Sequence, residues 1–128
     1  MSDDRPVILC IDDDSDILLY LQTVLEAEGY GFAGASSAEE GLRVYDRVNP
    51  DIVIVDLMME EVDSGTEFAK AMLLRKNVVP TFLLSSVGDN LNLTADYSSL
   101  GFAGIFQKPL AKEHLLSVLR AKLAPGKQ

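Results

Sequence analysis

An α/β fold, with a parallel sheet covered by helices on both faces, is what this 128-residue sequence predicts. Three observations carry that reading. Five short apolar runs recur, at 7–11, 31–35, 51–55, 79–84 and 102–106, and segments of helical period separate them. The first, third and fourth runs are nearly continuous in Val, Ile, Leu and Phe, as strands buried on both faces require. Strand–helix alternation repeated five times then points to a doubly wound three-layer sandwich, because right-handed crossovers place helices on both faces of the sheet. A closed eightfold barrel does not fit this length.

Four helical stripes are legible in chain order. Ile17, Leu18, Leu21, Val24 and Leu25 form one, and Leu42 with Tyr45 a shorter one. Phe68, Met72 and Leu73 form a third, and Leu115, Val118, Leu119 and Leu123 a fourth. Ser37 with Glu40 and Ser64 with Glu67 read as capping boxes, in which hydroxyl and carboxylate satisfy the free N–H groups of a first helical turn. Glu28 with Gly29 and Asn49 with Pro50 mark helix stops. The segment 88–100 is polar and weakly periodic and reads as a short helix. Residues 1–124 make one domain, and 125–128 a tail or linker stub.

Composition narrows the function. Hydrophobic residues at 48% and charged residues at 24% place the chain among globular proteins rather than disordered ones. Eleven basic against twenty acidic residues give a net charge of −9, which repels nucleic-acid backbones and anionic lipid. No apolar run approaches the roughly 18 residues of a membrane-spanning helix, and the acidic start is unlike a signal peptide. Neither direct nucleic-acid nor membrane binding is expected, and a cytoplasmic location is. One cysteine, Cys10, excludes an internal disulfide, and reads as a small core residue. One histidine, His114, excludes a histidine-rich metal site and reads as solvated at the start of the last helix.

Open α/β sheets bind ligands at the carboxyl ends of their strands. Asp12, Asp13 and Asp14 come after the first run and Asp56 after the third; Ser85 and Ser86 come after the fourth, and Lys108 with Pro109 after the fifth. Carboxylates gathered on one edge repel, and a hard divalent cation such as Mg²⁺, bound through a few carboxylates and waters, relieves them. Lys108 and the Ser85 hydroxyl suit phosphoryl oxygens, and Asp56 suits a nucleophile that forms an aspartyl phosphate. Asp14 and Asp16 fit the acidic first turn of a helix instead. Alone, Asp12 and Asp13 fit that role too; Asp56 and Lys108 tip the balance.

Asp12, Asp13, Asp56, Ser85 and the Lys108–Pro109 pair, in that order from Pro6 to Leu123, resemble the signature of CheY-like receiver domains of bacterial two-component response regulators. The resemblance implies a flavodoxin-like (βα)5 fold with strand order 2-1-3-4-5. It implies that Asp56 accepts a phosphoryl group from a sensor histidine kinase or phosphotransfer protein. Asp13, Asp56 and the backbone carbonyl of Met58 would hold Mg²⁺, with Asp12 acting mainly through a metal-bound water. Ser85 and Lys108 would meet the phosphoryl oxygens, with a cis bond before Pro109. Such a domain catalyses only its own phosphorylation and dephosphorylation, and acts on a downstream protein target or an output domain absent from this chain.

Three departures from the family pattern stand out. Glu60, with Glu61 next to it, replaces the usual proline four residues after the acceptor. The stretch from Val62 to Gly65 looks one residue longer than usual. Ile105 replaces the usual aromatic residue three positions before the lysine, and a branched aliphatic cannot repeat its ring swing. Phe106, next door, faces the other way by strand alternation. Two rival readings remain: a pseudo-receiver that never takes phosphate, and a haloacid-dehalogenase-like phosphatase built on Asp12 and Asp14. Against the phosphatase, Asp16 stands where Thr or Val is expected, and Lys108 comes after Gly88 and Asp89 instead of preceding them.

The two positions that tune phosphate lifetime in this family carry apolar Met58 and Val87, and neither side chain can orient an attacking water. Loss of the phosphoryl group in Mg²⁺ buffer is therefore expected to take minutes or longer. Decay measured by intact mass tests this, and a half-life of seconds would contradict it.

Overall fold

The computed structural model describes residues 5–56, 79–85 and 103–123. Five strands form one parallel sheet: β1 (Val7–Ile11), β2 (Gly31–Ala35), β3 (Ile52–Asp56), β4 (Thr81–Ser85) and β5 (Gly104–Gln107). Their order is β2-β1-β3-β4-β5, the 2-1-3-4-5 arrangement that the sequence resemblance implied. Helices α1 (Ser15–Ala27), α2 (Ala38–Val48) and α3 (Lys112–Leu123) accompany them. The helix expected over Phe68, Met72 and Leu73, the capping box at Ser64 and Glu67, the segment 88–100 and the tail lie outside the described residues. So do Met58, Glu60, Glu61 and Val87.

Side chains alternate across the sheet with the period of two that a pleated strand imposes. On one face Leu9, Ile11, Val53, Val55 and Leu83 pack with Val44 and Tyr45 of α2. On the other, Ile8, Cys10, Ile52, Ile54, Phe82, Leu84 and Phe106 pack with α1 and α3. Ile105 lies against the first cluster and Phe106 in the second, the opposed orientation that alternation predicts. The stripes are broader than their sequence reading: Val44 and Leu116 are buried as well. Burial of Cys10, and after it the nearby charge of Asp12, pushes its thiol pKa well up.

Strands β3, β4 and β5 end one residue beyond the apolar runs, because the parallel ladder continues into Asp56, Ser85 and Gln107 whatever their polarity. At the other end, Asp51 stands outside β3 and ties β1 to it: the Val7 N–H donates to Asp51 Oδ2 at 2.8 Å. Gly104 allows a close approach: a Cβ there would sit 3.0 Å from the Phe82 ring, which would have to give by a few tenths of an ångström. That ring stacks on Phe106 with centroids 5.1 Å apart. His114 is exposed, as expected, yet its ring also meets Phe106 edge-on at 5.6 Å.

Local hydrogen bonds place the helix ends. Asp14 caps α1 by accepting from the Asp16 N–H at 2.9 Å. The helix stops at Gly29, whose φ of +89° opens a left-handed turn. There the Gly29 N–H bonds Glu26 O and the Tyr30 N–H bonds Leu25 O, the pairing of a Schellman motif. Ser37 caps α2 through the Glu40 N–H at 3.1 Å. The reciprocal arm of this box reaches one residue further back than the motif implies: Glu40 Oε1 accepts from the Ser36 N–H at 2.8 Å and the Ser36 hydroxyl at 3.0 Å.

Those two bonds hold the Glu40 carboxyl below its ordinary pKa, the backbone bond first and the hydroxyl second. A carboxyl whose pKa is lower folded than unfolded adds stability above the unfolded value and loses it as pH falls through the folded one. Glu40→Gln is therefore expected to lower Tm slightly at neutral pH, and the difference from wild type is expected to close in acid. Thermal melts across pH 2–7 check this.

Candidate functional site

The site lies at the point in the sheet where the order of the strands reverses. Strand β1 has β2 on one side and β3 on the other, and α1 and α2 cover opposite faces, so the carboxyl ends of β1 and β3 flank a crevice. Register determines what meets there. Ile11 pairs with Val55, so the next residues, Asp12 and Asp56, leave adjacent parallel strands side by side and in phase. Asp12 is fully buried and Asp56 is 3% exposed. Asp13 is exposed at the rim, and one carboxylate oxygen of each of the three lies within 4.8 Å of the others.

Two anchors hold Asp12. Its N–H donates to Ala35 O at 3.0 Å, extending the β1–β2 ladder, and its Oδ1 accepts from the Asp14 N–H at 2.9 Å. The second oxygen, Oδ2, faces the Lys108 ammonium at 3.1 Å. No hydrogen bond of good angle reaches that buried oxygen among the described residues, so the contact is one of charge more than of direction. Lys108 Nζ also stands 3.4 Å from Asp56 Oδ1.

Lys108 comes directly after β5, two strands from β3, and its stem crosses the end of β4 to reach the carboxylates. Its backbone is held by an N–H bond to Ser85 O of 2.7 Å, and the peptide to Pro109 is cis, as the resemblance implied. Burial works to lower the lysine pKa, but the charges of Asp12 and Asp56 outweigh it and hold the group above its ordinary value. The ammonium is charged throughout the physiological range. Ser85, 1% exposed, closes the edge from β4, in register beside Gln107.

The residues singled out in the sequence thus divide plainly. Asp12, Asp13, Asp56 and Lys108 come together, Ser85 stands on the neighbouring strand end, and Met58 lies outside the described residues. Asp16 takes the first-turn place expected of it, while Asp14 stands one step earlier as the N-cap of α1, and its N–H also bonds Asp12. One neighbour escaped the sequence reading: the Tyr20 hydroxyl of α1 donates to Leu110 O at 3.0 Å, two residues after Lys108. Its signal was faint, an aromatic at the edge of the α1 stripe.

Oxygen-only donors, a net excess of carboxylates and a buried oxygen without a well-directed hydrogen bond fit a hard divalent cation. Lys108 sets an ammonium beside Asp12 and Asp56. A group with several anionic oxygens is the ligand such an arrangement suits.

Comparison with known proteins agrees. The family model described as "Response regulator receiver domain" matches residues 8–120. The transcriptional regulatory protein GlrR of Escherichia coli is 33% identical over 112 residues, covering 88% of this chain and 25% of that protein. AfsQ1 of Streptomyces coelicolor is 29% identical over 123 residues, covering 96% of this chain and 53% of that one. The chain thus spans a quarter to about half the length of these curated relatives. Among solved structures, a response regulator receiver domain protein from Clostridium thermocellum superposes with a TM-score of 0.85 at 27% identity, covering 95% of this chain and 97% of that one. The chemotaxis response regulator CheY4 of Vibrio cholerae gives 0.81 at 26%, covering 93% and 99%.

Like charges within 4.8 Å strain the site when no cation is present. Asp13→Asn is expected to raise Tm in EDTA by a few degrees, on the order of 1 kcal/mol. The wild type is expected to gain Tm on addition of Mg²⁺, and Asp13→Asn to gain less. Melts with and without Mg²⁺ read both effects.

Proposed function

The chain belongs to the family of response regulator receiver domains, and from that premise we propose that Asp56 is its phosphoacceptor. One observation carries the proposal: Asp12, Asp13 and Asp56 converge within 4.8 Å while Lys108 reaches both Asp12 and Asp56. In the reaction an Asp56 oxygen attacks the phosphorus of a phosphohistidine on a sensor kinase or phosphotransfer protein. The new P–O bond forms as the P–N bond breaks, and the imidazole leaves. The protein supplies position and charge, which is most of what phosphoryl transfer requires.

Mg²⁺ would be held by Asp13, Asp56 and the Met58 backbone carbonyl, with Asp12 acting through a water; it supplies positive charge against the phosphoryl oxygens. Lys108 offers its ammonium to a phosphoryl oxygen, exchanging part of its contact with Asp56 for the new charge. The Ser85 hydroxyl donates to another oxygen. Asp12, held by the Asp14 and Ala35 backbone bonds, keeps the acid pair fixed through the exchange. Water attacking the same phosphorus later resets the domain.

The state so produced shifts an equilibrium between two conformations and changes what the domain contacts. The output is a protein target or a further domain, in keeping with the regulatory names of longer relatives such as GlrR and AfsQ1. A cytoplasmic setting is in keeping with the kinase as donor; among the described residues no helix is long and apolar enough to cross a membrane. No observation favours the pseudo-receiver or the phosphatase.

Intact mass after incubation with acetyl phosphate tests the assignment. A single phosphoryl adduct is expected with Mg²⁺, none with EDTA, and none in Asp56→Asn. An adduct that persists in Asp56→Asn would move the acceptor elsewhere. Failure of the wild type to bind beryllofluoride with Mg²⁺, together with no adduct, would end the phosphoacceptor reading.

A further inference from the structure

We propose that Tyr20 is a positioning residue for Lys108, acting through the loop that carries the lysine. The inference rests on the phosphoacceptor reading and deepens it. Between α1 and the loop after β5 lies a groove of about 270 Å³, lined by Ile17, Tyr20, Leu84, Lys108, Pro109 and Leu110. Tyr20 stands on one wall and Lys108 on the other. The Tyr20 hydroxyl crosses between them and donates to Leu110 O at 3.0 Å, linking residues 90 positions apart.

The loop needs such a tie. It spans the residues between Gln107, the end of β5, and Lys112, the start of α3. Pro109 has no N–H to give. On the β4 side, the Lys108 N–H holds Ser85 O at 2.7 Å. On the α1 side, Tyr20 holds Leu110. Lys108 is thus flanked by one bond to β4 and one to α1, and both fix the direction in which its stem leaves the backbone.

The helix makes this more than a brace. Helix α1 is capped by Asp14, whose N–H holds the Asp12 carboxylate, so α1 is registered against the acid pair at its first turn. Tyr20 lies less than two turns further along the same rigid element. The carboxylates and the loop bearing their counter-charge are therefore indexed to one helix. The Tyr20 ring is 37% exposed, yet its hydroxyl turns to the main chain of the loop.

Tyr20→Phe removes the bond and keeps the ring. Phosphoryl uptake from acetyl phosphate at saturating Mg²⁺ is expected to slow about 3- to 10-fold, the span of one neutral hydrogen bond. Beryllofluoride binding is expected to weaken by the same factor, while Mg²⁺ affinity measured by calorimetry stays equal or tightens, because a looser ammonium competes less for the carboxylates. A merely structural role would weaken both. Lys108→Ala is expected to show the same split, larger, and Tyr20→Phe to add nothing on that background. Leu19→Ala, at an exposed position beside Tyr20, is expected to match the wild type.

Three results would overturn the proposal. One is a wild-type rate in Tyr20→Phe while Lys108→Ala is slow. Another is a joint fall of Mg²⁺ and beryllofluoride affinity with a lower Tm. The third is full additivity of the two substitutions. A wild type that neither takes up phosphate nor binds beryllofluoride would instead bring down the phosphoacceptor reading itself, and this proposal with it.

Discussion

Two carboxylates held side by side out of water are the constraint around which this molecule is arranged. Asp12 and Asp56 are brought together by strand register, which hydrogen bonding along β1 and β3 enforces over four residue pairs. Their repulsion is met by one ammonium brought from β5, and removing one partner of such a buried set leaves an uncompensated charge. The compensation is incomplete in chemical terms: among the described residues three carboxylates gather, and one lysine reaches two of them. The folded protein thereby retains an attraction for positive charge at this strand edge.

Parallel topology explains why everything converges at one edge. All five strands run the same way, so the residues that succeed each strand emerge at the same end of the sheet. The period of two then decides which of those residues face the same crevice. The apolar cores on the two faces hold the strands in that phase, because a one-residue slip would turn every buried side chain to the wrong side. Core packing and site geometry are in this sense the same specification. On the proposed reading, a phosphoryl group placed at this edge would add negative charge beside carboxylates that the lysine already serves.

Much of this was legible in the residues. Apolar runs followed at once by Asp12, Asp56 and Ser85, and by Lys108 one residue after Gln107, announced both strands and site, because a buried parallel strand is nearly all apolar and the polar residues after it stand out. Helix ends at Gly29 and Asn49 were equally plain, since few residues adopt positive φ, here 89° and 50°. Strand limits were less so: polar Asp56, Ser85 and Gln107 continue the ladder because backbone pairing ignores side-chain polarity. Glu40 reached Ser36 instead of Ser37, a choice of one residue made by loop geometry. The Tyr20–Leu110 bond and the edge contact of His114 on Phe106 join distant positions, and no local pattern encodes them. Ile105 and Phe106 lie between these cases, for alternation predicted their opposite faces.

Cys10 gives the molecule a built-in clock. Its thiol sits wholly inside, in the strand that leads to the acid pair, and both burial and the charge of Asp12 keep it protonated. A protonated, enclosed thiol does not react with alkylating reagents, so modification can proceed only through openings that expose β1. Because β1 lies inside the sheet between β2 and β3, those openings amount to dismantling the fold. With reagent concentrated enough to outpace reclosing, the rate at which this single thiol is labelled counts how often the domain comes apart, and at lower concentrations it reads the open fraction instead.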